Sequence, residues 1–317
     1  MTPTRDSVDF IYVGGPRCGS TWLAAVLSDH PEVFIPPSKE IHFFNDRMPY
    51  RFEYRYPRGM AHYLSFFDQA EPGQLRGDIS PFYFLDPNAA WRIHRHLPDA
   101  KIISFLRDPV DMLYSLYLLL RQRERRAPSF EAELEANPQL LDLCRFDRLL
   151  QPYFDLFERE RVLVLLHGDL RRDAKATARQ VFRFLGVDED FAPPSLERKF
   201  NLAVDSQPRR SKQARGYAIQ ALNHPLLLPV KRRMLRWGFK DIRYFGAQDT
   251  GDVARYKGPV DETRAWIGEL LAPDMERLAT RIGRDLDEWP TYRLGTVAAS
   301  ATRAPAGSAA PAAPDSA

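Results

Sequence analysis

A glycine-rich run near the start of the chain has the composition of an anion-binding loop. Residues 14–21 read GGPRCGST, and Gly14 and Gly19 have the spacing of the nucleoside-triphosphate loop, in which Lys and then Ser or Thr follow. Ser20 stands where that lysine would be. The N–H groups of such a loop bind phosphate or sulfate, whereas the lysine serves the β and γ phosphates. The run therefore favours a metal-free donor over a magnesium triphosphate, with Arg17 as its cation.

A second candidate pair lies farther along the chain. Arg107 directly follows the apolar run KIISFL, and Ser115 lies about two turns into the amphipathic stretch that follows. A guanidinium and a hydroxyl in these positions can converge on one dianion. Taken alone, these two residues are better explained as a salt bridge near a helix cap and a solvated helix hydroxyl. Cys18 and Cys144 have no Cys or His neighbours at metal-ligand spacing, so no metal site is expected.

Three strand-turn-helix units are predicted to position these residues. Their strands are the apolar runs FIYV, KIISFL and RVLVLL, and their helices end near His30, in the arginine-rich run after Arg107, and at Gly186. We expect an α/β fold with a mostly parallel sheet covered by helices on both faces. Ligands of such sheets bind at the carboxyl ends of the strands.

Composition narrows the class of protein. The 317 residues are 44% apolar and 27% charged, with a net charge of +3, which is typical of a globular protein and does not indicate nucleic-acid binding. The first residues lack an apolar signal region, and no apolar run has membrane-spanning length, so a cytoplasmic location is expected.

One domain is predicted over residues 1–297. Within it, the basic, amphipathic segment 206–245 is a candidate surface for an acidic saccharide or for peripheral membrane contact. Two helical stretches joined at Pro273 are expected near the end of the domain, which gives a helical C-terminal region. The low-complexity tail 298–317 is predicted to be disordered.

Four motifs, in order, carry a resemblance to a known family. The segments GGPRCGSTWL, HPEVFIPPSKEIHFF, GDISPFYF and FLRDPVDMLYSLY resemble motifs of the sulfotransferases that use 3′-phosphoadenosine 5′-phosphosulfate (PAPS), especially the heparan-sulfate type and its bacterial relatives. The resemblance covers roughly residues 9–200. It implies a fold akin to the nucleotide kinases, a donor bound along the strand ends, and adenosine 3′,5′-bisphosphate as product.

The resemblance also implies a set of donor-binding residues. The loop from Arg17 through Cys18, Gly19, Ser20, Thr21 and Trp22 would hold the 5′-phosphosulfate, with Cys18 chemically inert. Arg107 and Ser115 would hold the 3′-phosphate, and Met112 replaces a second arginine that is frequent in the family. The segment ARYKGPV resembles the loop that closes over the nucleotide, so Tyr256, Lys257 and Gly258 are further candidates.

The acceptor side is implied by the segment SKEIHFF. Glu40 matches the base of the heparan-sulfate type, and His42 is its rival because cytosolic sulfotransferases use a histidine. In an extended segment these two residues would face the same side. Lys39 is a candidate to neutralise the transferring sulfate, and Asp78 and Ser80 are candidates to line the site.

These observations favour a metal-independent, PAPS-dependent sulfotransferase. Its acceptor would be a hydroxyl or amine of a glycan, glycolipid or small metabolite. Two alternatives stay open, a P-loop nucleotide kinase that needs Mg²⁺ and ATP, and a non-catalytic anion- or membrane-binding protein.

Overall fold

A five-stranded parallel sheet forms the centre of the protein. The computed structural model describes residues 7–46, 53–123, 127–196 and 259–303. The strands are β1 (Phe10–Gly14), β2 (Val33–Phe34), β3 (Leu75–Ile79), β4 (Lys101–Leu106) and β5 (Val162–Leu166), and their order is β2-β3-β1-β4-β5. The three predicted apolar strands correspond to β1, β4 and β5. A parallel sheet flanked by helices confirms the predicted fold class.

Ten α-helices accompany the sheet in the described ranges. They are α1 (Ser20–Asp29), α2 (Gly59–Leu64), α3 (Ala89–His96), α4 (Pro109–Arg123), α5 (Phe130–Ala136), α6 (Phe146–Leu156), α7 (His167–Arg172), α8 (Ala174–Leu185), α9 (Asp261–Ile282) and α10 (Pro290–Arg303). Local chemistry fixes several ends. Ser129 and Asp173 accept hydrogen bonds from N–H groups in the first turns of α5 and α8, and Gly186 ends α8 in a left-handed conformation.

The strand order creates a crevice at the carboxyl edge of the sheet. The chain leaves β1 toward β2 on one side, whereas β4 lies on the other side of β1 and leads to β5. Ligands of open parallel sheets bind where the direction of the connections reverses. In this chain the reversal lies between β1 and β4, so the loops after these two strands border it.

The C-terminal helices brace the loop after β4. Asp108 accepts hydrogen bonds from the backbone N–H and the hydroxyl of Thr291, at 2.8 and 2.7 Å. Arg264 on α9 donates to Asp108 at 3.2 Å and to Asp111 at 2.6 Å. Asp108 also caps α4 through the N–H of Asp111. The residue next to Arg107 is therefore fixed from two directions.

Helix α9 differs from the prediction made at Pro273. The sequence predicts two helical stretches joined there, but one helix runs from Asp261 to Ile282 with Pro273 inside it. Packing outweighs the lost backbone hydrogen bond, because Asp274 accepts bonds from the N–H groups of Asp147 and Arg148 at the start of α6. Gly268 also lets α10 approach closely, since a Cβ there would lie 2.2 Å from the Thr291 carbonyl oxygen.

The last helix runs into the segment that is predicted to be a disordered tail. Helix α10 continues to Arg303, so residues 298–303 are helical, in keeping with the alanine-rich run AASATR. The rest of the predicted tail, and all of the basic segment 206–245, lie outside the described residues. Among the residues that the structure describes, no helix is both long enough and apolar enough to cross a membrane.

Candidate active site

The glycine-rich loop is fixed to the sheet by hydrogen bonds to its backbone. The N–H of Gly15 donates to the carbonyl of Phe105 at 2.8 Å, and the Tyr12 hydroxyl donates to the Gly15 carbonyl at 3.0 Å. Ser104 on β4 donates to the Gly14 carbonyl at 3.0 Å. The loop is thus held between β1 and β4, at the crevice that the strand order creates.

Arg17 reaches across this crevice to helix α4. Its Nε donates to Ser115 Oγ at 3.0 Å, which joins the loop to the second predicted anion-binding segment. Arg17 has a φ of 61° and Gly19 a φ of 119°, and Gly19 is the residue before α1. Consecutive turns of this kind bring backbone N–H groups toward a common point at a helix N-terminus. Two predicted donor-binding residues are therefore brought into contact.

Arg107 lies close to the same loop. Its guanidinium is 3.7 Å from the Asp111 carboxylate one turn into α4. Burial raises the pKa of the Cys18 thiol to about 12, although the charges of both Arg107 and Arg17 act to lower it. Cys18 is fully buried and donates to the Pro16 carbonyl. Two guanidiniums therefore border the loop, and its cysteine is a protonated thiol that supports the loop from inside.

Trp22 lies behind the loop. Its indole N–H donates to the Leu196 carbonyl at 3.2 Å, and its ring packs edge-on against Phe105. This contact fixes the first turn of α1, and a direct contact with the donor stays a prediction. Tyr256, Lys257 and Gly258 fall outside the described residues.

The side chains of Glu40 and His42 lie close together, but the segment that carries them is not extended as predicted. Both have positive φ, 66° for Glu40 and 51° for His42, so the segment is coiled and that prediction is wrong. Their side chains nevertheless meet, with Glu40 Oε2 3.7 Å from His42 Nε2. The Glu40 side chain is 37% exposed and that of His42 only 1%. Of the two, Glu40 is the group that an acceptor can reach.

Lys39 connects this segment to the donor loop. Its Nζ donates to Thr21 Oγ1 at 3.1 Å and lies 3.5 Å from Glu40 Oε1. Burial lowers the pKa of the Lys39 ammonium, the Glu40 carboxylate offsets part of this effect, and the charge of Arg17 lowers the pKa further. One ammonium group thus contacts both the predicted base and the predicted donor loop.

The Glu40 carboxylate is strongly ionised. Burial acts to raise its pKa, but the neighbouring His42 imidazole and the charge of Lys39 outweigh burial, and the pKa is about 2. At neutral pH the group is therefore an anion that can accept a proton.

A buried network below the base segment determines its shape. Asp78 is fully buried and accepts hydrogen bonds from three hydroxyls: Ser80 at 2.6 Å, Tyr83 at 2.7 Å and Tyr63 at 3.1 Å. Ser80 and Tyr83 in turn accept from the backbone N–H groups of His42 and Phe43. Burial raises the pKa of the Asp78 carboxyl, although these hydrogen bonds act to lower it.

This network places Asp78 and Ser80 beneath the site. Both side chains are buried, so in this structure they support the base segment from below, and contact with the acceptor stays a prediction. Sequence reasoning missed Tyr63 and the role of the Tyr83 hydroxyl. The motif GDISPFYF contains Tyr83, but nothing in the sequence indicates that its hydroxyl would reach Asp78.

Comparison with known proteins places the chain among sulfotransferases. A sequence model of the sulfotransferase family matches residues 10–191. The chain is 35% identical over 122 residues to heparan sulfate glucosamine 3-O-sulfotransferase 6 of Homo sapiens, covering 38% of this chain and 33% of that protein. It is 26% identical over 313 residues to human carbohydrate sulfotransferase 15, covering 77% of this chain and 54% of that protein.

A further relative and a solved structure extend the comparison. The chain is 32% identical over 145 residues to the membrane-associated sulfotransferase kil1 of Dictyostelium discoideum, with 43% of this chain and 29% of that protein covered. A crystal structure of a sulfotransferase from Alicyclobacillus acidocaldarius superposes with a TM-score of 0.64 at 27% identity, covering 89% of this chain and 98% of that one. The chain thus spans between about a third and about half of the length of these curated relatives.

Proposed function

Because the chain belongs to the sulfotransferase family, we propose that it transfers the sulfuryl group of PAPS to a hydroxyl or amine of a small-molecule, glycan or lipid acceptor. A glycan is the class that the names of two relatives support, since these are a carbohydrate sulfotransferase and a heparan sulfate sulfotransferase. The predicted family agrees with the comparisons. The donor, the base and the acceptor are parts of the proposal.

The residues around the crevice fit a donor with two separate anionic groups. Arg17, Ser20 and Thr21 lie in and after the glycine-rich loop at the start of α1, where the N-terminus of a ten-residue helix favours an anion. Arg107 and Ser115 lie at the end of β4 and on α4. The loop would hold the 5′-phosphosulfate and the second segment the 3′-phosphate. When bound, the donor supplies the sulfuryl group and leaves as adenosine 3′,5′-bisphosphate.

The single observation that carries the proposal is the position of Lys39. Its ammonium contacts Thr21 of the donor loop and the Glu40 carboxylate at the same time. Sulfuryl transfer needs a base beside the acceptor and positive charge beside the transferring group, held in one geometry. Lys39 is therefore positioned to stabilise negative charge between donor and acceptor.

Glu40 is the base that the geometry favours. Its carboxylate is ionised and exposed enough to accept the proton of an incoming hydroxyl or amine. His42 is almost completely buried, and its Nε2 lies 3.7 Å from Glu40 Oε2. We assign His42 to orienting Glu40 through the contact between His42 Nε2 and Glu40 Oε2.

The experiment that tests the proposal separates donor binding from chemistry. The purified chain is titrated calorimetrically with adenosine 3′,5′-bisphosphate in EDTA, and separately with ATP and Mg²⁺. We expect metal-free binding of the bisphosphate that weakens about 10- to 100-fold in Arg107→Ala, because a charged hydrogen bond is lost. Arg183→Ala is the matched control, since Arg183 is an exposed arginine paired with Glu189 on another surface. It should bind like the wild type.

A transfer assay completes the test. Labelled PAPS is incubated with desulfated heparan and chondroitin oligosaccharides, a glycolipid and p-nitrophenol, and transfer to any of them supports the proposal. A preference for magnesium ATP would favour a nucleotide kinase. Binding of the bisphosphate without transfer to any of these acceptors would favour a non-catalytic anion-binding protein.

A further inference from the structure

His167 lies beside the predicted phosphate-binding segment at the carboxyl edge of the sheet. Strands β4 and β5 are paired in register, with Leu106 opposite Leu166. Arg107 and His167 each follow directly, so they leave the sheet side by side at its carboxyl edge. The imidazole also borders the glycine-rich loop, because a Cβ placed on Gly19 would lie 3.9 Å from His167 Cδ2. The ends of β4 and β5 and the loop after β1 thus come together near this ring.

The surroundings keep this imidazole neutral. Burial lowers the pKa of His167 to about 4, the charges of Arg107 and Arg171 lower it further, and Asp111 opposes them. Asp111 is itself shared with two guanidiniums, Arg107 at 3.7 Å and Arg264 at 2.6 Å. A histidine between arginines gains a proton readily only when an additional anion arrives.

The other carboxylates near α7 are already paired with arginines. Asp169 contacts Arg172 at 3.0 Å and also Arg284. Glu288, which borders Gly168, contacts Arg172 at 2.6 Å. Both carboxylates therefore already have arginine partners. An exogenous anion bound beside His167, Arg107 and Gly19 would add negative charge that these ion pairs do not supply.

We propose that His167 is part of the binding site for the donor's 3′-phosphate, and that its imidazole takes up one proton from solvent when this phosphate monoester binds beside Arg107. The inference rests on the proposed function, because it assumes a donor of that chemistry. According to this inference, the affinity for the donor depends on pH, because binding is accompanied by protonation of His167.

The direction of the pH effect follows from linkage. A histidine whose pKa rises on binding strengthens binding fully below its free pKa of about 4, and the contribution is lost as pH rises through the pKa of the complex. Each unit by which binding raises the pKa is worth up to about tenfold in affinity. The phosphate itself titrates near pH 6 and acts in the opposite direction, but equally in every variant.

The experiment compares wild type with His167→Asn, which cannot take up the proton. Each is titrated calorimetrically from pH 5.5 to 8 with adenosine 3′,5′-bisphosphate and with adenosine 5′-phosphate, in two buffers of different ionisation enthalpy. His94→Asn is the matched control, because His94 packs on Phe157 from α3. We expect the wild type and the control to take up more protons with the bisphosphate than His167→Asn does. The wild type and His94→Asn should also bind the bisphosphate more tightly than His167→Asn does, and this difference in affinity should grow as pH falls.

The outcomes are distinguishable. If the wild type binds the bisphosphate but His167→Asn shows the same proton uptake and the same pH slope, the inference is overturned and the proposed function stands. If the wild type binds no bisphosphate at any pH, the donor assignment fails and the inference fails with it. If His167→Asn does not fold, the inference is tested on the wild type with the two nucleotides. Equal proton uptake with adenosine 3′,5′-bisphosphate and with adenosine 5′-phosphate would overturn the role of the 3′-phosphate.

Discussion

The donor side and the base side of the crevice are built in different ways. The glycine-rich loop is attached to β1 and β4 by three hydrogen bonds that involve its own backbone. The base segment makes one backbone bond to β3, from the N–H of Glu40 to the carbonyl of Ile79. Two further bonds, from the N–H groups of His42 and Phe43, go to the Ser80 and Tyr83 hydroxyls, and both hydroxyls donate to Asp78. The first construction depends on the sheet, and the second depends on one buried carboxylate.

This difference has a consequence for mutation. A side chain of the donor loop can change without moving the loop, so its effects should remain local. Asp78 and its hydroxyl partners act as a unit, and interaction energies within such networks are not additive. Substitutions in the Asp78 network should therefore lower turnover, although none of these side chains is expected to contact the substrate.

The largest effect is expected for Glu40→Gln. The variant keeps the shape of the side chain but cannot accept the acceptor's proton, so turnover should fall by about 10²- to 10⁴-fold. Affinity for adenosine 3′,5′-bisphosphate should remain nearly unchanged, because the hydrogen bonds that attach the donor loop to β1 and β4 do not involve this carboxylate. Transfer from labelled PAPS to an acceptor found in the screen, and calorimetry, measure the two quantities.

The control for Glu40→Gln is Glu53→Gln, an exposed glutamate paired with Arg58. It should retain turnover. The pH profile provides a second check, since a base with a pKa of about 2 loses its function only as pH falls toward that value. An acid limb of kcat/KM centred near 4.5 that persists in Glu40→Gln would assign the limb to another group. Full turnover in Glu40→Gln would remove Glu40 from the mechanism.

The sequence predicts the donor side better than the base side, because the donor loop is attached directly to two neighbouring strands whereas the base segment depends on a buried network. Glycine spacing and the flanking apolar runs identify the loop, because its conformation is a local property of strand, turn and helix. Arg17 and Ser115 are 98 positions apart, yet their contact follows from the parallel placement of β1 and β4.

The base side depends on tertiary contacts that no local pattern encodes. Positive φ at Glu40 and His42 results from hydrogen bonds to Ile79, Ser80 and Tyr83, so an extended segment was the wrong expectation. Likewise, Pro273 inside α9 is tolerated because of packing and the Asp274 bonds to α6. Propensity predicts a break there, and burial overrides it.

An intermediate effect is expected for Asp78→Asn. An amide presents one N–H₂ group where the carboxylate accepts hydroxyl hydrogens, so at least one of the three hydrogen bonds is lost in a buried site. The free energy of unfolding should fall by about 1–3 kcal/mol. Turnover should fall by about tenfold or more because the base segment shifts, as expected for misplacement of a catalytic group by a fraction of an ångström to 1 Å.

Urea unfolding and kinetic assays at pH 7 check both parts of the Asp78 prediction. Asp142→Asn is the control, since Asp142 is an exposed aspartate paired with Arg145. Donor affinity of Asp78→Asn should stay within about twofold of the wild type, because the donor loop is held by β1 and β4. A loss of donor affinity as large as the loss of turnover would show that the two sides of the crevice are not independent.

The smallest effect is expected for Ser115→Ala, which tests the donor side by the same criterion. The variant removes the hydroxyl that accepts from Arg17 Nε at 3.0 Å and leaves the loop's backbone hydrogen bonds in place. Donor affinity should weaken by about 3- to 10-fold, since one hydrogen bond of about 1 kcal/mol is lost. Thr296→Ala, at an exposed hydroxyl on α10, is the control for the loss of a surface hydroxyl. If Ser115→Ala instead lowered the unfolding free energy or turnover as much as Asp78→Asn, the donor side would also be a cooperative network. The contrast between a backbone-held loop and a carboxylate-held segment would then be wrong.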